Sequence, residues 1–168
     1  MLPVTSEWLG RRRTFRLPLG GLFAIEDECG KPAWGVLGDM LAGAVRMEQL
    51  EAVLFHGLVG AGTSITDAAA VLDDTRRSGG QIAAAVALCT AVLAKSLDAP
   101  AAKGGGSGEP FNRVNAYRSG FAMGMRPADV DAMSLRDYLA AVEAFTAKSG
   151  GMSEAEKDEL WEWIQEGA

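Results

Sequence analysis

Apolar residues recur along this chain mostly at three- and four-residue spacing, with one early stretch that alternates instead. Over residues 47–62, MEQLEAVLFHGLVGAG, Met47, Leu50, Leu54 and Leu58 fall on one helical face, and Val53, Phe55 and Val59 widen it. Gly57, Gly60 and Gly62 end the run, since glycine reaches the left-handed angles that stop a helix. Upstream, residues 4–9 and 13–17 are predicted as two short strands around a Gly10-Arg11 turn. In the second, Thr14, Arg16 and Pro18 alternate with Phe15, Leu17 and Leu19, the period of a half-buried strand.

The remaining periodic segments predict a succession of short helices. Residues 20–29 make the first, with Leu19, Leu22, Phe23 and Ile25 inward, Glu26, Asp27 and Glu28 in water, and Gly30 closing it. Pro32 opens a second, where its missing N–H does no harm. Trp34, Leu37, Met40 and Leu41 form the second helix's buried stripe, and Gly43 ends it. After the central helix, Ser64 and Asp67 make a capping box with Asp in the place of Glu or Gln. The helix behind it runs to about Arg77 and turns Ile65, Ala68, Ala69 and Leu72 inward. Ser78-Gly79-Gly80 breaks the pattern. Residues 81–97 then put Ile82, Val86, Cys89, Leu93 and Leu97 on one side, with alanine over nearly everything else. Such a coat permits close approach on several sides and predicts the most enclosed helix of the front domain.

Residues 98–110, DAPAAKGGGSGEP, have the composition of a flexible linker, and the domain boundary is placed there. Beyond it, Phe111, Val114, Tyr117 and Phe121 repeat at helical spacing up to Gly124. Pro127 starts a short turn of helix. Ser134 and Asp137 form a second capping box before a helix to about Lys148, striped by Leu135, Tyr138, Leu139, Val142 and Phe145. Gly150-Gly151 separates this from a third box, Ser153 to Glu156, and a last helix carrying Leu160, Trp161, Trp163 and Ile164. The fold class is therefore mainly α. It comprises an N-terminal β-hairpin plus a compact bundle of short helices over 1–97, a Gly-rich linker over 98–110, and a small all-α module over 111–168. Fewer than about 70 residues make a marginal core, so the module needs the front domain or a partner to order fully.

Charge narrows the function classes. The net charge is -6, and it is uneven: residues 1–97 carry nine Lys and Arg against ten Asp and Glu, residues 98–168 seven against twelve. Nucleic-acid binding leans on neutralised phosphates, so an acidic chain is a poor candidate. The one basic cluster, Arg11-Arg12-Arg13 beside Arg16, reads as a solvated strand edge. The most apolar run, 82–94, is too short for the ~20 residues a bilayer span needs. With no secretion signal, Cys29 and Cys89 are expected reduced and buried, in a soluble cytoplasmic protein.

Candidate chemistry is sparse. His56 is the sole histidine and no Cys-x-x-Cys occurs, so no metal-ligand spacing exists. A lone histidine on an amphipathic helix is more often structural than a general base. Acidic neighbours of Cys29 discourage a reactive thiolate. Asp73-Asp74 and Asp129/Asp131 lack calcium-loop spacing and are more simply helix-surface charge. Residues 57–64 spell G-x-x-x-x-G but place Thr63 where a phosphate loop needs lysine, and a helical pattern stands where a strand should. No catalytic residue, metal or cofactor is expected.

The order of elements nevertheless resembles a known family. Thr14-Phe-Arg-Leu-Pro-Leu-Gly20, Glu26 to Gly30, Met40 to Gly43 and Gly57 to Gly62 together resemble the tail assembly chaperones of tailed phages and gene transfer agents. That likeness spans roughly residues 10–97. Pro127, Val130, Met133, Ser134 and Asp137 are similar to a pattern of the small partner protein often encoded beside such a chaperone, sometimes fused to it by a translational frameshift. The resemblance implies a non-enzymatic protein that holds the tape measure protein soluble and helps tail tube protein assemble, with self-association possible and absence from the finished particle. Aromatic residues often anchor interfaces. On that ground Phe111, Tyr117, Phe121, Tyr138, Trp161 and Trp163 are candidate partner-binding residues, set against the plainer reading that they form the module's own core. A helical adaptor of the antitoxin or transcription-regulator type is the alternative, and a nucleotide enzyme using residues 57–64 a third.

Overall fold

The computed structural model describes residues 3–78, 82–97 and 110–148. Strands β1 (Val4–Trp8) and β2 (Arg11–Phe15) precede helices α1 (Leu19–Cys29), α2 (Ala33–Ala42), α3 (Met47–Gly60), α4 (Ile65–Ser78), α5 (Ile82–Ser96), α6 (Arg113–Ala122), α7 (Pro127–Ala132) and α8 (Leu135–Lys148). The chain is mainly α with an N-terminal hairpin, as the periodicity predicts.

The hairpin turn sits one residue earlier than expected. Trp8 pairs with Arg11, so the two-residue loop is Leu9-Gly10. Both residues have positive φ, 53° and 69°, the signs a type I′ turn requires and the twist of antiparallel strands favours. Glycine therefore fills the second loop position. Phe15, Leu17 and Leu19 are all buried, as the alternation predicts, although the strand stops at Phe15.

Helix α3 is the centre of the front bundle and touches α1, α4, α5 and β2. It buries Gln49, Leu50, Ala52, Val53, Leu54, Gly57 and Leu58. Helix α5 buries only Ala85, Leu88, Cys89, Val92, Leu93 and Ser96 of its 15 residues. The alanine-coated helix is thus not the most enclosed one. Ala83, Ala84, Ala87, Ala91 and Ala94 face solvent, because alanine brings little apolar area to the competition for the buried side.

Other inward positions also differ from expectation. On α2, Ala33, Val36, Leu37 and Met40 are buried, whereas Trp34 and Leu41 are 37% and 72% exposed. The helix is apolar nearly all round, so its pattern does not fix its rotation. Met47, Ile65 and Ile82 are more than half exposed, and each is the first residue of its helix. On α6 the buried residues are Asn115, Ala116 and Gly120, while Val114 and Phe121 face out. Here the tightest contact selects the smallest residue: a Cβ on Gly120 would overlap Val130 Cγ2.

The expected stop signals fall where the sequence puts them. Gly30 and Gly43 adopt left-handed φ of 59° and 70° at the ends of α1 and α2. The Asp67 N–H donates to Ser64 Oγ, and the Asp137 N–H to Ser134 Oγ. In both cases the Asp accepts from the Ser hydroxyl, at 2.7 and 2.6 Å. The linker expected over 98–110, apart from Pro110, lies outside the described residues. So do Gly79-Gly80, Gly150-Gly151, the box at 153–156 and the last helix with Leu160, Trp161, Trp163 and Ile164.

Candidate interaction surfaces

The most elaborate polar and aromatic surface forms where residues 110–135 cover α1. Phe23 of α1 is 2% exposed. Its ring is met edge-on by Phe111 at 6.5 Å and by Tyr117 at 6.2 Å, and the Arg113 guanidinium lies 5.2 Å from its centroid. Edge-to-face pairs and a cation over a ring are favourable quadrupole arrangements. Arg113 also pairs with Asp27 at 2.8 Å. Further along, the Leu19 N–H donates to the Met133 carbonyl and Arg16 Nη2 to the Ala132 carbonyl, both at 2.8 Å. Asp131 accepts from Tyr117 Oη at 2.8 Å. It presses so closely on Gly20 that a Cβ there would lie 2.8 Å from Asp131 Cβ.

Glu26 joins three parts of the chain. One carboxylate oxygen accepts the Ala33 N–H at the start of α2, and the other accepts the Phe111 N–H, each at 2.8 Å. The residue is 7% exposed, which corrects the expectation that the acidic run is solvated throughout. Burial pushes its carboxyl above the ordinary glutamate value, while the two N–H donors and Arg113 pull it back. Tyr117 is likewise raised, by burial first and then by Asp131.

The expected partner-binding aromatics separate into distinct places. Phe111 and Tyr117 pack on Phe23. Tyr138 is 4% exposed, and its hydroxyl donates to the Ala116 carbonyl at 3.3 Å, within the α6–α8 group. Phe121 is 57% exposed. Trp161 and Trp163 lie outside the described residues.

A second apolar surface is a groove of about 200 Å³ between α3, α4 and α5, lined by Met47, Leu50, Leu54, Ile82 and Ala85. Its rim carries a two-pronged ion pair, Arg76 Nε and Nη2 each 2.7 Å from Glu51. That pairing holds the Glu51 carboxyl below its ordinary value. The pattern of apolar residues did not reveal this groove, because Met47 and Ile82 read as inward.

Residues singled out for possible chemistry have structural partners. His56 Nε2 lies 2.7 Å from Glu28 and ties α3 to α1. Asp73 and Asp74 pair with Arg76 and Arg77, and Asp129 with Arg126. Among the described residues no group of three His, Cys, Asp or Glu side chains is placed to hold a metal. Cys29 and Cys89 are free and buried, and desolvation raises both thiols, Cys89 to about 12. Nor can the glycines after α3 cradle a phosphate. The Gly62 and Thr63 N–H groups turn back to the Val59 and Leu58 carbonyls at 2.9 and 3.0 Å, a Schellman closure that uses the donors. Sequence pattern also missed Gln49, fully buried, which donates to Asp39 and accepts from the Arg46 N–H, both at 2.8 Å.

Residues 3–99, more than half of the chain, match the family described as phage tail tube protein, GTA-gp10. The chain belongs to that family. A phage or gene-transfer-agent tail is therefore the right setting, but the expected chaperone role is overturned. The tail tube family describes a structural component, not a carrier of the tape measure protein. No curated protein and no solved structure matches the chain. Among the described residues, no helix is long and apolar enough to cross a membrane.

Proposed function

We propose that this protein is a non-enzymatic structural component of a phage or gene-transfer-agent tail, working through contacts with other tail proteins and with further copies of itself. The observation that carries this reading is the tail tube family match over residues 3–99. The side chains that could have done chemistry are occupied in ways that support it: His56 is held by Glu28 and both thiols are buried. Among the described residues, the surfaces left available include helix faces such as the α3–α4–α5 groove, and the exposed side of the hairpin.

The test is to delete the gene in a producing strain and, separately, to quantify the tagged chain in purified particles. Deletion should leave particles without complete tails, and the chain should be present in intact tails in many copies. Normal tails without the chain, or particles that lack it, would refute the reading.

A further inference from the structure

We propose that residues 110–148 form a docking unit that can seat on α1 of a second copy of this chain, so that neighbouring copies exchange it. The proposal rests on the tail-component reading above and names how copies would hold one another.

Three observations carry it. The unit meets the front part at a surface that includes Arg16, Leu19, Gly20, Phe23, Glu26 and Asp27. That surface is built like an interface between partners: an aromatic anchor, the Arg113–Asp27 ion pair and hydrogen bonds to backbone. The tail tube family match ends at residue 99, so the unit lies outside the part shared with the family, yet it covers one face of α1. Finally, the twelve residues 98–109, DAPAAKGGGSGE, can extend to at most about 40 Å at 3.3–3.6 Å per residue. The α1 of any copy that lies within that span is therefore in reach of the unit, as its own is.

Concentration decides between the two. A short tether gives an intramolecular partner an effective concentration in the millimolar range. In dilute solution each unit closes on its own chain. Where copies are stacked side by side, a neighbour's α1 is at comparable local concentration, and the identical contacts form between chains.

The experiment uses two full-length variants, each unable to close on itself. Gly20→Leu blocks the α1 surface against Asp131 and leaves its own docking unit intact. Arg113→Glu with Tyr117→Glu spoils the unit and leaves α1 intact. Amide exchange in α3 and α5 checks that each front bundle is folded. Sedimentation should show each variant as a monomer alone and a one-to-one heterodimer on mixing. Two unmixed monomers would overturn the proposal.

A second measurement traps the docked state. Gly20→Cys with Asp131→Cys in one chain sets the two Cβ positions 2.8 Å apart, about 1 Å inside the ~3.8 Å of a disulfide, so the docked faces must ease apart by about that much for the bridge to close. The fraction of interchain product on a non-reducing gel should rise with protein concentration. A product that stays within one chain at every concentration overturns the exchange. Self-association of the natural chain that neither variant disturbs also overturns it, while leaving the tail-component reading intact. Complete tails formed without the chain would remove that reading instead, whatever the mixing experiment gives.

Discussion

Glu26 holds the backbone N–H of Phe111 at 2.8 Å across 85 residues of sequence. Its other oxygen holds the first N–H of α2. A single buried carboxylate thus sets the start of α2 and the entry of the C-terminal helices onto α1. Both contacts satisfy backbone donors that would otherwise be stranded.

Glu26→Gln keeps the shape but turns an NH2 donor toward one of those N–H groups. One buried donor is left without an acceptor, a penalty partly offset by removing a buried charge. The expected loss is on the order of 1 kcal/mol, read by urea unfolding. Faster exchange should appear at the Ala33 or Phe111 amide, and unchanged protection at both would show that neither depends on the carboxylate.

The pH dependence of the same variant follows from the direction of its shift. Glu26 is raised above 4.5, chiefly by burial. A raised carboxyl binds its proton more tightly in the native state. Its contribution is present below the unfolded value and is lost as pH rises through the folded one. Asp39, Glu51, Asp129 and Asp137 are lowered by their hydrogen-bond donors, Asp129 to about 2. Their contributions are present above the ordinary carboxylate values and are lost as pH falls through the folded ones. The four impose the acid loss on both proteins, so the difference between natural chain and Glu26→Gln isolates Glu26. That difference should favour the natural chain most at the acid end and shrink as pH rises, in unfolding curves taken across about pH 3 to 7. A difference that grows with pH would reverse the assignment.

Much of the fold was legible because its punctuation is local. Gly30, Gly43, Ser64 and Ser134 mark helix ends through their own backbone preferences and nearest neighbours. The hairpin was legible for the same reason, short of the one-residue placement of its turn. What stayed hidden depends on distant partners. The Glu26-Asp27-Glu28 run looks like wet surface until Ala33 and Phe111 arrive to claim the first of the three. Gln49 looks polar until Asp39 and the Arg46 N–H enclose it. Small residues misled in another way. Ala33, Ala116 and Gly120 mark close contacts, while Trp34, Val114 and Phe121, which dominate a hydrophobic pattern, stand at the surface. The family setting was also readable from the front motifs, but the role within the tail was not. A pattern of glycines and apolar spacings specifies a bundle, and the bundle alone does not say what it contacts.

Cys29 and Cys89 should resist alkylation in the folded chain. The thiolate is the reactive form, and both thiols are buried and raised, Cys89 to about 12. At about pH 8 the labelling rate with iodoacetamide should track the unfolding equilibrium as urea is added. Labelling of either cysteine at the rate of an unfolded peptide, in the absence of urea, would contradict its enclosure.

Gly60 and Gly38 should respond to alanine in opposite directions. Gly38 lies inside α2 and Gly60 is the last residue of α3; in a helix interior alanine is preferred over glycine by about 1 kcal/mol when nothing else changes. At Gly38 nothing lies within 4 Å of the new Cβ, so Gly38→Ala should stabilise by up to about that amount. At Gly60 the Cβ would overlap the Arg16 carbonyl oxygen and lie 2.5 Å from Pro18 Cδ. Backbone cannot swing aside like the end of a side chain, so α3 and the β2–α1 connection must separate. That also strains the 2.8 Å bond from the Arg16 N–H to the Gly57 carbonyl. Overpacking of this kind costs about 1–3 kcal/mol or more, enough to outweigh the helix preference and lower the melting temperature. Thermal unfolding of the two variants side by side is the check. A Gly60→Ala chain as stable as the natural one would mean that α3 does not press on the end of β2 as closely as described.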